Sequence, residues 1–442
     1  MFPSRRIATM GGDKFRDEYS LAFDGTNDYI NCGSGSDIDD IFDGDGGSIV
    51  AWINPQSDGG SNYGRICEKA SDTDGTGGWT LHVADESSGA VKLAFKKGWG
   101  TNRGVWLTDN REIPLNVWTH VAVRYDQDST SNQAALYING VRVDVTRTQA
   151  PSGSEVSDAA QDFIIGAMSD ASRSFDGKIS EVVIYNYMLT ASQVRTLYNG
   201  REPYNHKEGA NQANLKAWWR MGDGQFDRNN LPATFKTGIE NGDLNQYLIT
   251  DASATTSLSA EKYTATNALA DLNNAEAQTG LEVYEGGSNI TSGTAQTDSG
   301  RGGSDYAMHI DVSANADRVS DNLDDYLTKG KVYILTCVAK HEGNGDPAVI
   351  RIADSSNLDA SGDYMTLEQV GTSETGWAFY GTVFLHTSET GDQGSTEHFG
   401  IRENGSPDDA EFYISELSIK EVSGNPGVMK NMTITDFTGD TP

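Results

Sequence analysis

Residues 175–199, FDGKISEVVIYNYMLTASQVRTLYN, decide the fold because they combine the pattern of a buried strand with the start of a short helix. In the first part the side chains alternate between two sides, Val182 and Ile184 on one, and Glu181, Val183 and Tyr185 on the other. Alternation with a period of two predicts a strand, and its apolar content predicts a position inside a sheet.

A helix start follows this strand directly. Thr190 and Gln193 have the spacing of a capping box, in which each side chain binds the backbone N–H of the other residue. Leu189 and Val194 flank the box as a hydrophobic staple, and Gly200 stands where a left-handed residue ends a short helix. The stretch therefore predicts a strand closed by a short helix.

The rest of the first 200 residues is typical of short strands separated by glycine turns. The strongest hairpin signal is Asn139-Gly140, between the runs 135–138 and 141–143, because both central positions of a type I′ turn favour positive φ. Many short strands without intervening helices predict a sandwich of two sheets.

The closing stretch resembles the last motif of the laminin-G-like, concanavalin-like jelly rolls, and four earlier stretches resemble further strands of that family in the family's order. These stretches are 21–30, 48–53, 118–123 and 135–140. The resemblance covers about residues 19–200, and it implies an all-β jelly roll. Because one fold hosts many functions, it implies much less about activity.

Composition limits the partners. The chain has 33 Lys and Arg against 64 Asp and Glu, a formal net charge of −31, so its surface repels nucleic acid and we expect no such partner. No apolar run has the length of a membrane span, and the N-terminus lacks the apolar core of a signal peptide, so we expect no membrane partner and assembly in the cytoplasm. The cysteines, Cys32, Cys67 and Cys337, are too few for a disulfide framework.

A second β-rich region follows a polar, irregular stretch. It has strand patterns at 330–339, 348–352, 378–385 and 411–422. The opening run 241–244, the strand 331–335, the step 376–380 and the closing strand 411–422 are similar to those of carbohydrate-binding jelly rolls of the galactose-binding-like kind. We therefore expect two β-sandwich jelly rolls, the second like a carbohydrate-binding module. The predicted divisions are an N-terminal arm (1–18), a laminin-G-like domain with a connecting segment (19–235), a carbohydrate-binding-like sandwich (236–422) and a tail (423–442).

Both ends of the chain have features that bear on how it packs and on contacts with other subunits. The basic residues Arg5, Arg6, Lys14 and Arg16 indicate either a frayed terminus or an arm that lies on an acidic neighbouring subunit. The tail from 427 to 442, together with the block 215–224, resembles the C-terminal frame of laminin-G-like structural proteins in tailed phages, particularly marine ones. The second sandwich would then be an insertion between the two blocks, and we expect Trp218, Trp219 and the tail to pack on the first domain.

The sequence lacks the catalytic motifs expected of an enzyme with this fold. Glycoside hydrolysis on this fold uses paired carboxylates, typically in a Glu-x-Asp-x-x-Glu run, and the chain has no such run. It also has no His-Glu-x-x-His motif and no serine in a glycine elbow. We therefore expect a protein that is not an enzyme.

The laminin-G resemblance implies Ca²⁺ as the one plausible cofactor, held by oxygen ligands at the sandwich rim. The residues that it nominates are Asp24, Asn27, Asp28 and Glu181. Ser180 stands where the family often has Asp, and the favoured alternative is that the first three residues are simply turn residues.

Sugar binding would use exposed aromatic rings as platforms for stacking. Trp99 and Trp106 lie in the polar run 96–106 and are expected to be exposed, while Trp377 and Tyr380 are candidates in the second domain. The alternative for aromatic residues in short strands is a place in the core.

These observations predict a non-enzymatic phage virion protein, as a head decoration, a short fibre or a tail-associated knob. Its partners would be capsid or tail subunits, further copies of itself as a homo-oligomer, and host surface glycans. The alternative is a carbohydrate-binding adhesin or an accessory module of a bacterial surface system. A degenerate glycosidase ranks last.

Overall fold

A computed structural model describes residues 15–71, 77–208, 212–229, 247–253 and 257–260. Beyond them it describes 281–284, 293–296, 307–312, 318–343, 348–353, 366–370, 378–387, 398–403 and 410–442. The described part contains one α-helix, and no helix in it combines the length and apolarity needed to cross a membrane. The predicted all-β class is confirmed.

The first sandwich takes its strands from both ends of the chain. Before the second sandwich these are β1 (Ser20–Asp24), β2 (Tyr29–Asn31), β3 (Gly47–Pro55), β4 (Arg65–Lys69), β5 (Trp79–Ser87), β6 (Ala90–Lys97), β7 (Gly104–Thr108), β8 (Ile113–Pro114), β9 (Thr119–Tyr125), β10 (Ala135–Ile138), β11 (Val141–Arg142), β12 (Val145–Gln149), β13 (Ile164–Ile165), β14 (Asp176–Tyr185), β15 (Leu215–Trp219) and β16 (Leu248–Ile249). The helix α1 (Ala191–Tyr198) lies between β14 and β15.

The second sandwich follows in sequence, and the tail then returns to the first. The middle strands are β17 (Leu281–Tyr284), β18 (Gly293–Gln296), β19 (Ala307–Val312), β20 (Arg318–Asn322), β21 (Val332–Gly343), β22 (Ala348–Ala353), β23 (Thr366–Val370), β24 (Ala378–Leu385), β25 (His398–Glu403) and β26 (Ala410–Glu421). The tail strands are β27 (Gly427–Lys430) and β28 (Phe437–Thr438).

Four antiparallel sheets form from the described strands. In the first sandwich the first sheet has the order β11-β10-β9-β3-β14-β1-β28 with β15 also on β14, and the second sheet has the order β12-β7-β6-β5-β4-β13-β2-β27-β16 with β8 on β6. In the second sandwich the orders are β17-β20-β25-β22-β23 and β18-β19-β26-β21-β24.

The closing stretch folds as its sequence predicts. Val182 and Ile184 lie in the core between the two sheets, while Val183 and Tyr185 pack under α1 with Val194. Both bonds of the capping box form, since the Thr190 N–H donates to Gln193 Oε1 (2.7 Å) and the Gln193 N–H donates to Thr190 Oγ1 (3.2 Å). A cap of this kind stabilises a helix by about 1 kcal/mol. The strand is therefore buried on both faces, which explains its near-continuous apolar sequence.

The predicted hairpin forms between β10 and β11. Asn139 and Gly140 both have positive φ, 50° and 75°. A side chain at position 140 would come within 3.0 Å of Tyr198 on α1, so the close approach of the helix also requires glycine.

The tail completes both sheets of the first sandwich. β27 pairs with β2, and β28 pairs with β1. β15 pairs with β14, and the Trp219 indole N–H donates to the Asn425 carbonyl (2.7 Å). The Trp219 ring stacks on Phe163 with 4.7 Å between centroids. Strands from widely separated parts of the chain therefore share one core.

The predicted boundary at 235/236 is wrong, because β16 belongs to the first sandwich. Leu248 and Ile249 pair with β27, and Ile249 is buried in the core between the first two sheets. Leu248 points the other way, into an apolar cluster with residues of the second sandwich. That cluster joins the two lobes and consists of Phe226, Leu248, Val332, Ile334, Val383, Leu385, Val422 and Val428.

The described part of the N-terminal arm is bound to its own chain. Phe15 packs on Trp218 with 5.7 Å between ring centroids, and the Arg220 guanidinium lies 4.4 Å from the Phe15 ring. The N–H groups of Glu18 and Tyr19 donate to Asp223 Oδ2 (2.7 and 3.1 Å). Arg5, Arg6 and Lys14 lie outside the described residues.

A candidate glycan-binding groove on the second sheet

A groove crosses the outer face of the second sheet over β5, β6 and β7. It follows from alternation along these strands: Leu81, Val83, Leu93, Phe95 and Trp106 point into the core. Their neighbours point outward and line a space of about 500 Å³ that we call the outer groove. Its lining residues are Asn62, Tyr63, His82, Ala84, Asp85, Ala94, Lys96, Arg103, Val105, Leu107, Thr148 and Gln149.

Small side chains form the floor of the outer groove. His82 and Leu107 both pair with Ala94 from opposite sides, and Lys96 pairs with Val105. Because Ala84 and Ala94 end at Cβ, the centre of the sheet is open where longer side chains would fill it.

Tyr63 forms one wall, and it is 40% exposed. A tight loop places it, in which the Gly64 N–H donates to the Asp58 carbonyl (2.7 Å). Gly59 has a φ of 74°, and a Cβ there would lie 2.5 Å from Gly64 Cα and from the Ser174 carbonyl oxygen. Only glycine therefore fits at the base of this loop.

Three cationic or aromatic groups surround the Tyr63 ring. Arg173 Cζ lies 4.7 Å from the ring centroid, Lys96 Nζ lies 5.1 Å from it, and the His82 ring centroid lies 5.8 Å away. Cations at these distances are attracted by the ring's quadrupole. The ring is therefore held in place by its neighbours while part of it remains open to solvent.

A buried ion pair supports the groove from below. Arg65 Nε lies 2.8 Å from Glu68 Oε2, and both side chains are buried. Burial raises the pKa of Glu68 to about 7, although Arg65 opposes the shift. Burial also lowers the pKa of His82, and the positive charges of Arg65, Lys96 and Arg173 lower it further. His82, with Nδ1 3.2 Å from Thr80 Oγ1, is thus neutral at physiological pH.

Asp85 lies at one end of the groove and is already bound. Arg111 Nη2 lies 2.6 Å from its Oδ1, and Lys92 Nζ lies 3.3 Å from its Oδ2. Hydrogen bonds from these two side chains lower the pKa of Asp85, so it is an engaged carboxylate.

Residues 24–195 match the family model of the concanavalin A-like lectin/glucanases superfamily. This concanavalin A-like segment holds every residue that lines the outer groove. No curated protein matches the chain.

The solved structures that match this chain have low sequence identity and low structural similarity to it. A heptameric SAP-like pentraxin from Limulus polyphemus is 18% identical over 42% of this chain and 85% of its own, with a TM-score of 0.33. A putative carbohydrate-binding protein from Bacteroides ovatus is 18% identical over 55% and 57%, with a TM-score of 0.33. The CBM22-1 xylan-binding domain of Paenibacillus barcinonensis Xyn10C is 17% identical over 33% and 85%, with a TM-score of 0.23.

The expected exposure of Trp99 and Trp106 in the concanavalin A-like segment is wrong. They are only 5% and 1% exposed. Trp106 points between the sheets, where its ring lies 4.9 Å from that of Tyr125 and its Nε1 donates to Gln133 Oε1 (3.1 Å). Neither ring offers a face for a sugar, because core packing covers both.

Of the two candidates in the second sandwich, Tyr380 gives no exposed platform. Tyr380 is 8% exposed, in β24. Trp377 lies outside the described residues.

The four residues nominated for calcium do not come together. Asp24 Oδ1 accepts the Thr26 N–H (2.7 Å) and Asp28 Oδ2 accepts the Asp24 N–H (2.9 Å), so Asp24, Asn27 and Asp28 share one turn. Asp24 pairs with Asp176 on β14, and Glu181 lies five residues further along, roughly 16 Å away at about 3.3 Å per residue.

Glu181 has its own partners. It is 1% exposed and accepts hydrogen bonds from Trp218 Nε1 and Arg220 Nε. Among the described residues, no group of three or more His, Cys, Asp or Glu side chains has the arrangement of a metal site. Calcium binding by the Asp24 turn stays a prediction.

Sequence reasoning missed the residues that make the groove. Tyr63, Lys96 and Arg103 come from a loop, a strand and another loop, and they meet only through the pairing of β5, β6 and β7. One signal was available: the core-facing residues of β6 leave Ala94 and Lys96 on the outer face.

Proposed function

We propose that this protein binds glycans in the outer groove. The jelly-roll fold of carbohydrate-binding type suggests glycan binding, and the observation that carries the proposal is the exposed Tyr63 ring beside polar groups of the groove. The apolar face of a sugar packs on an aromatic ring, while amides and hydroxyls fix its polar groups. Asn62, Thr148 and Gln149 supply such groups here.

We propose binding without hydrolysis. Cleavage of a glycosidic bond uses two carboxyl groups about 5–9.5 Å apart on either side of the bond. Asp85 is the one carboxylate among the described lining residues, and it is bound to Arg111 and Lys92.

The test measures polysaccharide binding by the full chain and its variants. We expect Tyr63→Ala to weaken binding about tenfold, which corresponds to ~1.4 kcal/mol, and Tyr63→Phe to retain most of it. Tyr204→Ala is the matched control, since Tyr204 packs on His206 beside the first sheet. Equal binding by wild type and Tyr63→Ala would refute this site, and release of reducing sugar would refute binding without hydrolysis.

We further propose that the protein is a structural component of a tailed-phage virion. It would be a head decoration, a fibre or a tail-associated knob that contacts host glycans. The support is the resemblance of 215–224 and 427–442 to the frame of phage structural proteins. In agreement with that frame, Trp219 in the first block binds Asn425 just before the second, and both blocks add strands to the first sandwich. Capsid or tail subunits and further copies of this chain would be the partners.

The alternative setting is an adhesin or accessory module of a bacterial surface system. Mass spectrometry of purified particles and of cell-surface fractions separates the two settings. We expect the chain in particles at a fixed ratio to capsid or tail subunits; its presence only in the cell-surface fraction would favour the alternative.

A further inference from the structure

The outer groove is elongated across the strands of the second sheet. Its floor follows one row of paired residues, in which His82 pairs with Ala94, Ala94 with Leu107, and Leu107 with Thr146 on β12. Neighbouring strands lie about 4.8 Å apart. The lining runs from the loop of Tyr63, on the line of β4, to β12, so the groove crosses four strand spacings and is about 19 Å long.

The groove is narrow along the strands. β6 contributes Ala94 and Lys96 to the lining, and β7 contributes Val105 and Leu107. Residues two positions apart on a strand are separated by about 7 Å. A groove of this shape fits an extended, unbranched chain that crosses the strands.

Two bonded loops close the groove at the Tyr63 end. The Gly60 N–H donates to the Ser174 carbonyl (2.8 Å) and the Arg65 N–H donates to the Arg173 carbonyl (3.0 Å), which joins the loop of Tyr63 to the loop of Arg173. Arg173 Cζ lies 4.7 Å from the centroid of the Tyr63 ring. Beyond these loops the sheet continues with β13 and β2, but neither strand contributes to the described lining. The groove therefore ends at Tyr63.

Both loops of the closed end hold non-glycine residues in the left-handed region. Ser61 and Asn62 have φ of 54° and 64°, and Ala171 and Arg173 have φ of 59° and 54°. Such conformations cost free energy and are common at ligand sites. They support the view that the closed end is shaped for a ligand.

The opposite end of the groove is open. β12 is the outermost described strand on this side of the second sheet, and Thr148 on it is exposed. A chain that starts at Tyr63 can therefore continue past the edge of the sheet into solvent.

We infer that the outer groove binds one end of an extended, unbranched glycan chain, with the terminal sugar against Tyr63 and the following sugars crossing the sheet towards β12. This inference rests on the proposed glycan binding and names the part of the glycan that is recognised. A terminal sugar carries a hydroxyl group where an internal sugar carries the next glycosidic bond, and the exposed Asn62 amide beside Tyr63 supplies a hydrogen-bond partner for it. An internal stretch would need the groove to continue past Tyr63, where Arg173 lies.

The experiment varies the number of chain ends at constant mass of glycan, with the full chain. The probes are soluble xylan, mannan, lichenan, dextran and pullulan. Each polysaccharide that binds is cut into progressively shorter chains with an endo-acting hydrolase, and the binding capacity per gram is measured. We expect this capacity to rise in proportion to the number of ends, as long as the fragments are longer than the groove.

Reduction of the chains with borohydride identifies the end that is bound. The binding capacity should be lost if the groove holds the reducing end and unchanged if it holds the non-reducing end. Either result agrees with the inference, because both require a chain end at Tyr63.

A variant at the open end tests the path of the chain. Thr148→Trp places a bulky side chain where the chain leaves, and we expect about tenfold weaker binding of oligosaccharides longer than the groove and little change for a disaccharide. Thr196→Trp is the matched control and should bind as wild type does, since Thr196 is exposed on α1, which packs on the first sheet. Both replacements are at exposed positions, so we expect the fold to be retained, which urea unfolding checks.

Two results would overturn the inference. A capacity per gram that stays constant while the ends multiply would show that an internal stretch is bound, and it would leave glycan binding in place. Equal binding of long oligosaccharides by Thr148→Trp and Thr196→Trp would show that the chain does not leave over β12. Failure of every polysaccharide and its fragments to bind would instead contradict the proposed function itself.

Discussion

The replacement Lys69→Met tests how the loops at one end of the first sandwich are held. Lys69 is buried, and its Nζ lies 2.7 Å from the Asp158 carbonyl, 2.5 Å from the Gln161 carbonyl, 2.9 Å from Asp39 Oδ1 and 3.5 Å from Asp158 Oδ1. One ammonium group thus donates hydrogen bonds to two backbone carbonyls and lies within ion-pair distance of two carboxylates. Methionine has nearly the same length and removes only the charge and its donors.

The expected cost follows from these contacts. Removing one partner of a buried ion pair costs about 3–5 kcal/mol, because the remaining charge stays buried. A carbonyl left without its donor costs a further 1–3 kcal/mol or so. The two effects overlap at one site and do not add fully. We therefore expect Lys69→Met to lower the free energy of unfolding by about 3–5 kcal/mol.

The assay is urea unfolding followed by tryptophan fluorescence, with Lys92→Met as control. Lys92 makes a surface ion pair with Asp85 at 3.3 Å, for which about 0–1 kcal/mol is expected. The loss in Lys69→Met should shrink at acid pH, where Asp158, whose pKa burial raises, becomes neutral and no longer needs a cation. A loss below about 1 kcal/mol, or one equal to that of Lys92→Met, would refute this account of the loops.

Three further predictions concern the core, the arm and the groove loop. Trp219→Ala removes the ring stacked on Phe163 and should cost about 3–5 kcal/mol in urea unfolding; a loss below about 1 kcal/mol would contradict its place in the core. Burial, and to a smaller extent the charge of Glu181, raises the pKa of Asp17. The folded state therefore favours the neutral carboxyl group, whose contribution to stability is complete below about pH 4 and decreases as the pH rises. Asp17→Asn should therefore have a higher melting temperature than wild type at pH 8 and nearly the same melting temperature at pH 4. An equal increase in melting temperature at both pH values would refute the interaction of Asp17 with Glu181. Gly59→Ala should weaken glycan binding severalfold, whereas Gly89→Ala, with a similar φ of 77° and nothing within 4 Å, should not; equal effects would show that φ strain alone is responsible.

The parts of the fold that depend on neighbours in sequence could be predicted. The strand, staple and capping box of 179–198 and the Asn139-Gly140 turn each carry their own signal within a few residues. β16 carried no such signal, because two residues form a strand only when β27 returns from the far end of the chain to pair with them. The boundary at 235/236 was wrong for that reason.

The site was harder to predict because exposure is a tertiary property. Trp106 stands among polar residues, yet the alternation of β7 turns its ring into the core beside Tyr125. Tyr63 stands in an unremarkable glycine loop, and only the folding of that loop beside β5 and β6 makes it the wall of a groove. The polarity of neighbouring residues in the sequence therefore predicted exposure for the wrong aromatic side chains.

The most direct test of the account is a structure of the full chain with a bound oligosaccharide taken from a polysaccharide that the chain binds. We predict density for the sugar in the outer groove, with one ring on the exposed part of Tyr63. An oligosaccharide bound on the second sandwich, with the outer groove occupied by solvent alone, would contradict the central claim.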